Sequence, residues 1–65
     1  MKIGEYNELL INRMVDFGAY LIDEDTHEVL LPKRYLTPDM QVGNNIRVFV
    51  YNDSENRPVA TTEQP

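Results

Sequence analysis

Cysteine and tryptophan are both absent from this chain, and histidine occurs only once. Without cysteine there is no disulfide to staple a small fold and no thiolate to hold zinc. The absence fits a reducing cytoplasm, which is the expected location. No apolar run approaches the ~20 residues that a membrane helix needs, so no membrane contact is expected. The opening residues, Met1-Lys2-Ile3-Gly4-Glu5, hold no apolar stretch of the kind a secretory leader requires. The Asn52-Asp53-Ser54 sequon therefore carries no glycosylation meaning. Cations are scarce too: six Lys and Arg stand against eleven Asp and Glu, for a net charge of -5. That balance argues against tight non-specific duplex binding, which depends on neutralising many phosphates. It leaves room for a local single-strand site, because a small patch can differ from the average.

Chemistry is missing as well. No nucleophile, base and orienting group can be grouped from the sequence, so no enzyme is expected and no cofactor. Asp16 lies beside Gly18 but has no partner base, which makes it a turn residue. The acidic run Asp23, Glu24, Asp25 and Glu28 around His27 invites a metal reading. It lacks the glycine and distal glutamate of a calcium loop, and it lacks a zinc spacing. A solvated turn accounts for it better.

What remains is a 65-residue chain with 42% hydrophobic residues, too apolar to be disordered and short enough for one domain. Folds of this size bury roughly 60% of the surface their unfolded chains expose, so stability is marginal. The chain is organised around Val15-Asp16-Phe17-Gly18-Ala19-Tyr20-Leu21. Leu9 to Val15 reads as a strand, with Leu9, Ile11 and Val15 on one parity and Asn12 and Asp16 on the other. Arg13 and Met14 break the alternation, which points to a bulge or bend. Gly18 allows a close backbone approach. In the next strand Ala19 and Leu21 share one face, and Tyr20 and Ile22 the other.

Asp23 to Thr26 forms a polar turn, and Val29-Leu30-Leu31 a short strand ending at Pro32. Thr37-Pro38-Asp39-Met40 suggests one short helical or 3₁₀ turn, with Thr37 as cap and Pro38 in the first position. Val42 to Asn45 is another turn. Ile46 to Tyr51 alternates most cleanly: Ile46, Val48 and Val50 should face the core, and Arg47, Phe49 and Tyr51 should face outward. A hairpin loop spans Asn52 to Asn56, and Arg57 to Thr62 is the last strand, with Pro58 near its start. Five short strands with short connections and no long helix imply a small all-β antiparallel barrel. Closure removes exposed sheet edges.

Val15-Asp16-Phe17-Gly18-Ala19-Tyr20-Leu21 resembles the signature of the S1 RNA-binding domain, an OB-fold barrel. Val42-Gly43 is similar to that family's next turn, Ile46 to Val50 to the strand that follows, and Asp53 with Arg57 to its closing hairpin. The resemblance covers residues 3–63, leaving Gln64 and Pro65 as a polar tail or linker. Met1 to Asn7, Leu30-Leu31-Pro32-x-Arg34-Tyr35 and Ala60 to Pro65 resemble the start of bacterial proteins of the conserved virulence factor B (YitL-like) group. Those proteins carry several S1-like domains, so the resemblance implies the first domain of a longer chain.

It also implies a single-stranded RNA partner and a site: two aromatics, Phe17 and Tyr20, with Asp53 and Arg57 from the last hairpin. The family's third-strand histidine has no counterpart, its place falling at Leu31 or Pro32. Phe49 stands where a fourth-strand lysine is common.

Physical reasoning reaches a similar site. Unpaired bases stack on exposed rings, worth about 1–3 kcal/mol per base, while nearby cations hold phosphates. A wall carrying Phe17, Tyr20 and Phe49 near Lys33, Arg34, Arg47 and Arg57 meets both needs. With two to four phosphate contacts expected, the salt slope should be shallow, about 0.7 per contact. A single domain, expected to be monomeric, binds weakly, and affinity grows by linking several.

Each residue has a plainer role open to it. Phe17 could pin the bend from inside the core. Phe49 and Tyr51 could cover a partner domain instead. Asp53 and Arg57 could be a surface ion pair of little energetic weight, and Lys33-Arg34 a solvated pair. The competing function is therefore a structural barrel that packs on neighbouring domains.

Overall fold

A computed structural model describes residues 1–63; the tail expected at Gln64 and Pro65 lies outside the described residues. Five strands form, β1 Glu5–Val15, β2 Gly18–Ile22, β3 Glu28–Pro32, β4 Asn45–Asn52 and β5 Pro58–Thr61. They close into a barrel in the order β1-β2-β3-β5-β4. Four seams are antiparallel, and the fifth, β3 against β5, is parallel at Leu30 and Val59. That seam is parallel because the chain crosses the barrel after β3 before returning along β4 and β5.

β1 begins earlier than its apolar pattern suggests. Residues Glu5 to Leu10 pair with β4, and Leu10 to Val15 with β2. One long strand thus serves two neighbours by bending, as closure of so short a barrel requires. The register shifts between Ile11 and Arg13, which is the bulge expected from the broken alternation. The shift turns Arg13 outward, opposite Tyr20, where uninterrupted alternation would send it inward.

Leu9, Ile11, Ala19, Leu21, Val29, Leu31, Val48, Val50 and Ala60 fill the interior, and Ile46 is half-buried against them. Burying each large aliphatic side chain is worth about 1.5–3 kcal/mol. Tyr35 joins this core from a 3₁₀ turn, Lys33–Tyr35, which follows Pro32 and closes with Leu36 N–H donating to the Lys33 carbonyl at 3.0 Å. The helical turn therefore forms at 33–35, where a large ring can be buried. The expected one at Thr37 to Met40 is a single hydrogen-bonded turn, Met40 N–H to the Thr37 carbonyl at 3.1 Å. Among the described residues no helix is long and apolar enough to cross a membrane.

Candidate nucleic-acid interface

Alternation along β2 buries Ala19 and Leu21 and leaves Tyr20 half-exposed on the outer wall. Tyr20 lies beside Leu30 of β3, and Leu30 beside Val59 of β5. The guanidinium of Arg13 sits 4.3 Å from the centre of the Tyr20 ring. Its Nε reaches Glu28 Oε2 at 3.4 Å, and Asn12 Nδ2 reaches the same oxygen at 3.5 Å. Phe17 meets Tyr20 edge to face, with centroids 6.1 Å apart and planes at 87°. At 57% exposure Phe17 is an outward ring, not a core ring. Its carbonyl accepts from the Lys33 N–H at 3.0 Å, which seats Lys33 next to it.

Beside Tyr20 opens a cleft of about 390 Å³ whose walls include Glu28, Leu30, Asp53, Arg57 and Val59. Tyr20, Leu30 and Val59 give it an apolar lining, and Glu28, Asp53 and Arg57 a charged one. The outward β3 position between Tyr20 and Val59 is Leu30; Leu31, one of the two places matched to the family's third-strand histidine, is fully buried.

Asp53 is largely committed to its own hairpin. One carboxylate oxygen accepts from the Glu55 and Arg57 amides, both at 2.9 Å. Arg57 lies 4.0 Å from the other oxygen and pairs with Glu55. The β2–β3 hairpin repeats the device: Asp23 Oδ1 accepts from the Asp25 and His27 amides, both at 2.9 Å. Asp23 also accepts from the Met1 ammonium. That contact first, and the two amides after it, hold the Asp23 carboxyl down at about 2, while partial burial works against them. Ligating atoms of Asp23, Asp25 and His27 lie within 4.8 Å of one another. The Asp23 carboxylate is already taken by these partners, so the cluster acts as turn chemistry.

The remaining expected residues go elsewhere. Phe49 stands on β4 opposite Tyr6 of β1, their centroids 5.4 Å apart, and Arg47 covers Tyr6 at 4.9 Å. β4 pairs with β1 and β5, not β2, so Phe49 and Arg47 occupy a different wall from Tyr20. Tyr51 faces Val59 across the β4–β5 seam. Arg34 folds back onto Tyr35, donating to its hydroxyl at 3.0 Å, and this contact raises the guanidinium above its ordinary range.

Phe17, Tyr20, Lys33, Asp53 and Arg57 thus gather around one wall, and Arg13, Glu28, Leu30 and Val59 complete it. Arg13 was hidden by the bulge, although the broken alternation marked its place, and Glu28 was read only as part of the acidic turn.

The S1 domain pattern matches residues 3–63. The chain belongs to the S1 domain family. It is 36% identical over 66 residues to the uncharacterized protein YitL of Bacillus subtilis, covering 100% of this chain and 22% of YitL. The barrel also matches the crystal structure of a multidomain protein with nucleic acid binding domains from Streptococcus pneumoniae. The TM-score is 0.82 at 21% identity, over 95% of this chain and 21% of that one. This S1 domain therefore spans about a fifth of each of those two proteins. The structural likeness shows a shared barrel.

Proposed function

We propose that this S1 domain is a non-catalytic module that binds single-stranded RNA weakly in the cytoplasm. Bases lie on the Tyr20 and Phe17 rings and over the Leu30–Val59 floor. The observation that carries this reading is the outward Tyr20 ring, set between Arg13 and Phe17 above a cleft of about 390 Å³. Stacking is worth about 1–3 kcal/mol per base and demands little sequence. The cleft's cations are mostly engaged: Arg13 with Glu28, and Arg57 with Glu55 and Asp53. Lys33, seated next to Phe17, has no ion pair among the described residues and is free to meet a phosphate. Weak binding by one domain follows, with affinity raised in a longer chain by linked domains.

A second reading rests on the other aromatic wall. Tyr6, Phe49 and Arg47 form a packed cluster with Tyr6 39% exposed. Outward aromatics of this kind suit contact with a neighbouring domain of a longer chain.

Affinity for a short single-stranded RNA at low salt separates the two. Under the first reading Tyr20→Ala weakens binding about tenfold or more, while Phe49→Ala changes it less than about twofold. Loss of binding in Phe49→Ala with none in Tyr20→Ala would overturn it.

A further inference from the structure

Two carboxylates line the cleft, Glu28 and Asp53, and Glu28 is the one whose second oxygen faces no cation among the described residues. Both of its hydrogen bonds, from Arg13 and Asn12, go to Oε2; Oε1 has no partner among the described residues. The side chain is 38% exposed, and it stands beside Tyr20 on the cleft wall. By contrast Asp53, the other carboxylate there, gives Oδ1 to two backbone amides, and Arg57 faces its Oδ2 at 4.0 Å. Arg13 itself lies over the Tyr20 ring, so Tyr20, Arg13 and Glu28 stand in contact along this wall. A base that takes the place of the Arg13 guanidinium on the Tyr20 ring would therefore meet the Glu28 carboxylate at its edge.

We propose that Glu28 makes this cleft selective for bases that carry an exocyclic amine and against uracil. The proposal rests on the stacking reading above and adds to it the chemistry of the base edge. An ionised carboxylate only accepts. Cytosine offers it the N4 amine, the pairing that acidic side chains make with cytosine in general. Adenine offers its N6 amine in the same way. Uracil has a carbonyl oxygen, O4, where cytosine has the amine, so two acceptors face each other there and uracil must turn its N3–H toward the carboxylate to bond it. The preference thus comes from a mismatched acceptor as much as from a favourable bond. Stacking does not produce it, because cytosine and uracil present rings of the same size.

Tetracytidylate and tetrauridylate, titrated separately at neutral pH and low salt, isolate the edge. Amide shifts around Tyr20 serve as the readout. Tetracytidylate is expected to bind about tenfold more tightly, the effect of one discriminating contact. In Glu28→Gln the amide oxygen still accepts from Arg13, and the new N–H₂ can donate to uracil O4. The cytidylate-to-uridylate ratio then falls to about one or below. Removing the charge also eases phosphate approach for both probes, so the ratio is the quantity that decides. A merely structural Glu28 would lower both affinities and leave the ratio unchanged, which would overturn the proposal. Equal affinities in the unaltered protein would overturn it while leaving the stacking reading intact. If neither probe moves the Tyr20 region, the stacking reading falls and the proposal with it.

Discussion

Of the three glycines, Gly18 has the least room for a side chain. A Cβ there would lie 2.2 Å from the Leu31 carbonyl oxygen, and φ is +156°. The obstacle is backbone on a paired strand, so β2 and β3 would have to part. Gly18→Ala is expected to destabilise the domain by about 1–3 kcal/mol, read from the denaturant midpoint; an unchanged midpoint would contradict the close approach. Asp23 gives a pH prediction. Its carboxyl is depressed from 3.8 to about 2, so its contribution to stability is complete above about pH 4 and disappears as pH falls through about 2. Asp23→Asn should therefore be less stable at neutral pH and lose less stability than the unaltered protein between pH 4 and pH 2, as denaturation at each pH would show. At this scale the sequence was readable wherever alternation was intact. Tyr20, Arg47 and Phe49 face outward as their parity requires. Arg13 was not readable, because an inserted residue reverses parity and no local signal says which way.

The two hairpins, β2–β3 and β4–β5, are built alike. Each begins with an aspartate whose carboxylate collects the amides two and four residues on, and each has its fourth residue in left-handed backbone, Thr26 at φ 64° and Asn56 at φ 62°. Asparagine tolerates that conformation, whereas a β-branched residue is strained there. Thr26→Asn should raise stability by about 0.5–1 kcal/mol in thermal or chemical unfolding. A loss would mean that the Thr26 hydroxyl, which donates to the Asp25 carbonyl at 2.6 Å, outweighs the strain. β4 could be read from sequence almost to the residue because period two is unbroken across Ile46 to Tyr51. The first half of β1 could not, since Glu5 to Glu8 is polar and is a strand only because β4 runs beside it. Likewise the 3₁₀ turn at Lys33 exists to bury Tyr35, a reason that lies in the tertiary structure.

For the whole molecule, closure separates side chains that look contiguous in a linear reading. Phe17, Tyr20 and Phe49 all point outward, yet the order β1-β2-β3-β5-β4 puts Phe49 on a wall with Tyr6. The aromatic residues were legible as exposed, and their division into two walls was not. With a net charge of -5 and most cleft cations already paired, the barrel has little long-range pull on a polyanion. Binding must then come from contact at one wall. Chemical-shift mapping with a short single-stranded RNA at low salt tests this most directly. The expected result is shifts concentrated at Phe17, Tyr20, Leu30, Arg57 and Val59, with Tyr6, Arg47 and Phe49 unmoved. Shifts confined to the Tyr6–Phe49 wall, or none at millimolar RNA, would contradict the account.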